Sequence, residues 1–271
     1  MKRDFYPYSG PAGKDDPSRP YPRWYYPDAD GTAFIVHNVQ EYITAIDFFY
    51  RSVFGNSENT LWFIGLTTDI PTLLPQVLSS GNPFDETADI SNFVAGIGAG
   101  RAYAYPEVLL QMAFHNIPTR LLEWSTNSIK ALHDALSNTN SNLPATVFAL
   151  DPLGLNRAAS IEMSDSLHVP EALRAAAEKL SDALHVPEAL SAEIAPLFGS
   201  SDRTSAGANS PFAVTAMDNN GKKRMFTVAP NSPQALAIER IPNSARYLFK
   251  IQVPSELRTL LLRQLQRVGL L

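Results

Sequence analysis

The chain has 271 residues, 45% of them hydrophobic and 18% charged, enough to bury one large core or a core with a lobe. It contains no cysteine, which removes disulfides, thiolate nucleophiles and cysteine-ligated zinc or iron–sulfur centres. The formal net charge of −5 supplies no field for gathering nucleic-acid backbone, no local basic patch stands out, and no window approaches the roughly 20 apolar residues of a membrane span.

Residues 1–34 interleave prolines with tyrosines, a tryptophan and charges, so neither helical nor strand periodicity settles there and an extended arm is predicted. Trp24, Tyr25 and Tyr26 form an aromatic cluster that is unfavourable in open water, which points to docking on the chain's own domain, on a second copy or on a protein partner. The arm also lacks the apolar segment of a secretory leader, so the expected location is the cytoplasm, or a virion assembled there.

Asn38 and Glu41 make a capping pair ahead of Tyr42, Ile43, Ile46, Phe49, Tyr50 and Val53, which recur at helical spacing to about Phe54. Leu61 to Leu66 reads as a buried strand, and Pro71 to Leu78 as a short helical turn. Helices follow at about 86–98, 106–115 and 127–137, divided by glycine and proline. Ala145 to Leu150 is a second buried strand, and Phe212 to Ala216, Arg224 to Ala229 and Tyr247 to Val253 supply three more. The last helix opens at Pro254 and sets Leu257, Leu260, Leu261, Leu265 and Val268 on one face. The fold class expected is α+β, a small mixed sheet packed by several helices across 35–271, with 160–205 as a helical insertion.

That insertion holds a duplication: LHVPEAL occurs at 167–173 and again at 184–190. Two copies are too few for a solenoid, and each places proline and glutamate in a first helical turn, so two short helices are expected. His168 and His185 have no further ligands in view and read as helix-entry surface residues, so no metal is expected. The glycines of GIGAG at 96–100 lack both the lysine and the preceding strand of a phosphate loop. No cofactor is indicated.

The densest signal is IPTRLLEWSTNSIKAL, Ile117 to Leu132. Pro118 sets a turn, Thr119 can bond local backbone, and Arg120 and Glu123 are three apart. In a helical turn those two share a face, and among Leu121, Leu122 and Trp124 they would have to pair. Arg120 then either organises backbone carbonyls and pins the following helix or binds an anion at a cleft.

This run resembles the signature of the FRG domain family, which reads roughly Leu-Pro-Thr-Arg-Leu-Leu-Asp-Trp before a short helix. The resemblance extends over 39–156 and 211–271, through LWFIGL at 61–66, PATVFALDPLGLN at 144–156 and the closing strand and helix. It implies the family's α+β fold. Several polar positions depart from the pattern: Ile64 replaces the arginine of Phe-Arg-Gly, Ala113 and Phe114 replace a Gln-His pair, Asn116 replaces a glycine, and Glu123 replaces an aspartate. A Gln-x-Gly before Phe226 is also missing, and His115 alone keeps an imidazole nearby.

Retention of Pro118, Thr119, Arg120, Glu123 and Trp124 beside that loss of polar groups predicts a non-catalytic binding or structural module. The assembly expected is one such as a viral capsid surface, with this chain as an accessory subunit. The alternative is an enzyme, or a toxin or defence component, acting on a nucleotide or other anionic ligand through Arg120, with His115 or Glu123 moving protons.

Overall fold

A computed structural model describes residues 33–53, 61–66, 73–79, 86–97, 105–137, 142–165, 211–218, 220–230, 237–241 and 244–269. The chain is α+β, and its strands form two sheets where one was expected. It divides into two compact units; of the described residues, 33–66, 125–151 and 245–269 belong to the first and 73–124 and 152–244 to the second. Trp24, Tyr25, Tyr26 and both LHVPEAL copies lie outside the described residues.

The first unit carries a four-stranded sheet in the order β1-β7-β4-β2, formed by β1 (Ala33–Ile35), β2 (Trp62–Leu66), β4 (Ala145–Leu150) and β7 (Leu248–Val253). β1 runs parallel to β7 and the other neighbours are antiparallel. Strand β1 takes in Ala33 and Phe34, which the composition had assigned to the arm. Helix α1 (Val39–Val53) starts where expected: Asn38 Oδ1 accepts from the Glu41 amide at 2.9 Å, and the Glu41 carboxylate accepts from the His37 amide at 2.8 Å.

Val39, Tyr42, Ile46 and Phe49 then fall on one face and are buried, Phe49 stacking on Phe249 at 4.4 Å. The Tyr42 hydroxyl donates to the Ser128 carbonyl at 2.6 Å, and burial raises its pKa, so it stays a donor. With α5 (Ser128–Leu136) and the C-terminal helix, here α7 (Arg258–Arg267), α1 covers the sheet face that carries Phe63, Val147, Ala149 and Ile251.

The C-terminal helix departs from its expected face. Pro254 leads into a 3-10 turn at Ser255–Leu257, and the α-helix proper starts at Arg258, so the inward stripe is Arg258, Leu261 and Leu265. Leu260 lies off that stripe and is 47% exposed, and Val268 is past the last helical residue and 61% exposed. Buried Arg258 donates Nη2 to the Ala135 carbonyl in the last turn of α5, where a cation suits the helix dipole.

The second unit carries the antiparallel sheet β3-β6-β5, formed by β3 (Leu121–Trp124), β5 (Phe212–Met217) and β6 (Lys223–Val228). α2 (Gln76–Ser79) lies at the C-terminal end of the turn expected over 71–78. α3 (Glu86–Ile97) and α4 (Tyr105–Phe114) match their periodicity. α6 (Pro152–Asp165) extends into the first residues of the expected insertion. Leu109 and Leu110 of α4 and Ala159 of α6 pack on the sheet face made by Leu121, Phe212, Val214, Phe226 and Val228.

β5 is an edge strand, and α6 covers one of its backbone pairs. Buried Asn156 accepts from the Ala213 amide at 2.7 Å and donates to the Ala213 carbonyl at 2.9 Å, standing in for one residue of a neighbouring strand.

Candidate functional site

The run from Ile117 to Leu132 begins where α4 ends. The Asn116 amide donates to the Ala113 carbonyl at 3.0 Å and the Ile117 amide to the Met112 carbonyl at 2.9 Å. This pair of bonds is a Schellman motif, and it needs a left-handed residue at Asn116, whose φ is 57°. Ile117 packs with Phe93, Val108 and Met112, the hydrophobic contact that commonly accompanies this cap. Pro118 follows as a fixed exposed residue, and Thr119 Oγ1 accepts from the Leu121 amide at 3.2 Å.

From Leu121 the chain is a strand, which overturns the expected pairing of Arg120 with Glu123. Three residues apart in a helix is one face; three apart in extended backbone is opposite faces. Arg120 is accordingly on one side and 0% exposed, with Nη1 donating to the Ala229 carbonyl at 2.6 Å. The Ala229 amide donates back to the Arg120 carbonyl at 3.0 Å, so backbone and side chain close a reciprocal clamp at the end of β6. Of the two roles open to Arg120, organising backbone carbonyls is the one the bond to Ala229 fits, and the helix start owes its cap to Asn127.

Glu123 faces the other way, 48% exposed, and its carboxylate takes Arg224 in a two-pronged pair, Nε to Oε1 at 2.7 Å and Nη2 to Oε2. Arg224 rests against two neighbouring rings, with its guanidinium carbon 5.1 Å from the Phe114 centroid and 5.4 Å from that of Phe226. Its pKa is raised, first by the hydrogen bond to Glu123. Trp124 points to the same side as Arg120, buried, and Nε1 donates to Thr227 Oγ1 at 2.9 Å. Two side chains of the run, Glu123 and Trp124, therefore reach β6 on opposite faces, and a third, Arg120, reaches Ala229 just past its end.

Beyond Trp124 the run changes work. Ser125 exchanges both backbone bonds with Phe63, at 2.7 and 2.9 Å, and Asn127 Oδ1 caps α5 by accepting from Ile129 and Lys130, each at 3.0 Å. β2 meets that helix at Gly65, where an added Cβ would stand 1.8 Å from the Ala131 carbonyl oxygen. Ile64 alternates to the other face of β2, in register with Phe148.

The residues considered for proton transfer are not assembled. His115 is exposed at the end of α4 with its ring 5.7 Å from that of Phe93, and among the described residues no hydrogen bond joins it to Glu123. Among the described residues no group of three or more His, Asp or Glu side chains is placed to hold a metal ion, and no helix is long and apolar enough to cross a membrane. Arg224, Phe114 and Thr227 are the partners that sequence reasoning missed. The one local signal is for Arg224, in the basic run of Lys222, Lys223 and Arg224 before Phe226. No family model matches the chain, and no curated protein or solved structure matches it.

Proposed function

We propose that this chain is a divergent FRG-like domain acting as a non-catalytic binding or structural module, whose signature run serves the fold. The observation that carries this reading is Arg120, fully buried and hydrogen-bonded to the Ala229 carbonyl. An arginine that receives a substrate anion presents its donors at an accessible face; this one has no exposed surface and gives Nη1 to a backbone carbonyl. The pattern of kept and changed residues supports the same reading. Gly65 is kept where a side chain would collide with a helix backbone, and Asn116, in place of glycine, is the other residue that tolerates a left-handed cap. The polar positions taken by Ile64, Ala113 and Phe114 are apolar.

The partner in this reading is a protein, or a second copy of the chain, engaged through Trp24, Tyr25 and Tyr26 of the arm. The assembly is one such as a viral capsid surface, and the location is cytoplasm or virion. The deciding experiment is Arg120→Lys, followed by urea denaturation and by nucleotide titration of the variant and the parent. Lysine keeps the charge and loses the planar fork, so the module reading expects a loss of about 1–3 kcal/mol of stability from a poorly satisfied buried carbonyl, with neither protein binding nucleotide. A variant as stable as the parent that has lost nucleotide binding would replace this reading with the enzyme.

A further inference from the structure

We propose that the Arg224 fork is a receptor for an external oxyanion, a carboxylate or a phosphate, and that Glu123 is its built-in occupant. The two partners are held very differently. The Arg224 side chain is only 16% exposed, with the Phe114 and Phe226 rings on its guanidinium, whereas Glu123 is 48% exposed. The host is fixed and the guest is loose. A half-exposed glutamate gives up side-chain entropy to stay in one geometry, and its ion pair is screened by solvent, so the carboxylate can leave without disturbing the fork.

What it leaves behind is a planar array of donors, already oriented, that matches a carboxylate or phosphate in two-pronged fashion. The rings also remove the need to order a flexible side chain on binding. Asp218 is the other charge acting on Arg224, and it opposes an incoming anion. Glu123 competes from within the chain at an effective concentration on the order of millimolar, so in the parent protein the site opens only to a ligand that makes further contacts.

The test titrates the full-length chain with inorganic phosphate and, separately, with a hexaglutamate peptide, comparing the parent, Glu123→Gln and the double variant Glu123→Gln/Arg224→Lys. Glu123→Gln should bind one of the probes about five-fold more tightly than the parent, the factor an exposed ion pair contributes, and the double variant should lose that gain. A gain for the peptide alone identifies an acidic protein segment as the ligand class, and a gain for phosphate identifies a phosphorylated one. No gain with either probe overturns the proposal, as does a gain that survives Arg224→Lys, which would report only the removal of a negative charge. Should Glu123→Gln fail to fold, Glu123→Ala and Glu123→Ala/Arg224→Lys take its place in the same titrations, and no gain with either probe ends the proposal.

Discussion

The two sheets hold their strands by different physics, and the signature run is divided between them. In the four-stranded sheet, β2 is seated by shape: Phe63 enters the apolar core and Gly65 leaves room for the α5 backbone where a side chain would collide with it. In the three-stranded sheet, β3 is seated by buried polar side chains, Arg120 bonding the Ala229 carbonyl just past β6 and Trp124 bonding Thr227 within it. A four-residue strand buries too little apolar surface to be fixed by packing alone, so directional bonds set its register. A conspicuous set of polar residues can therefore mark a strand that is hard to hold, without marking a catalytic site.

The largest effect should come from breaking the shape-held side. Gly65→Ala places a methyl 1.8 Å from the Ala131 oxygen and 2.8 Å from the Ala135 nitrogen, both backbone atoms of α5. Neither can yield without moving the helix, so urea denaturation should register a loss of about 3 kcal/mol or more, or no folded protein. A variant as stable as the parent would show that β2 does not need that approach, and the contrast between the sheets would fail.

A medium effect is expected on the polar side, and it should be specific to one bond. Trp124→Phe keeps most of the buried ring and removes the donor to Thr227; with Thr227→Val it makes a double-mutant cycle. The coupling should be about 1 kcal/mol, since each single change strands a buried polar group and the double change strands neither. Additive costs would mean that Trp124 holds β3 by its bulk, as Phe63 holds β2.

This contrast also explains what was legible in the sequence. Helix α1 could be read because its information is local: Asn38 and Glu41 are three residues apart, and of the predicted stripe Tyr42, Ile46 and Phe49 are buried, although Ile43 is 45% exposed and Val39 takes its place on the inner face. β4 could be read because every residue in it is buried and apolar or small. β3 could not. Arg120 and Glu123 at a spacing of three imitate a helical pair, while the partner that defines the strand, Arg224, comes 101 residues after Glu123. Asn156 and Ala213, 57 residues apart, are another bond no local pattern announces. Arg258 was hidden for a different reason, since a charged residue in an amphipathic helix is counted as surface unless something buries it.

The smallest effect sharpens the comparison at the hinge between α4 and β3. Asn116 holds φ at 57°, where a Cβ crowds the following carbonyl and glycine would be unstrained. If the residue is there only to turn the chain into β3, Asn116→Gly should fall within about 0.5 kcal/mol of the parent, because relief of strain is offset by a freer unfolded chain. Asn116→Ala should cost about 1 kcal/mol, because alanine has neither glycine's freedom nor asparagine's tolerance of the left-handed region. Thermal denaturation of the three proteins distinguishes this from a side-chain role: if Asn116→Gly costs as much as Asn116→Ala, the carboxamide itself makes a bond that matters. The turn into β3 would then be held by a polar side chain, just as the strand after it is held by buried Arg120 and Trp124.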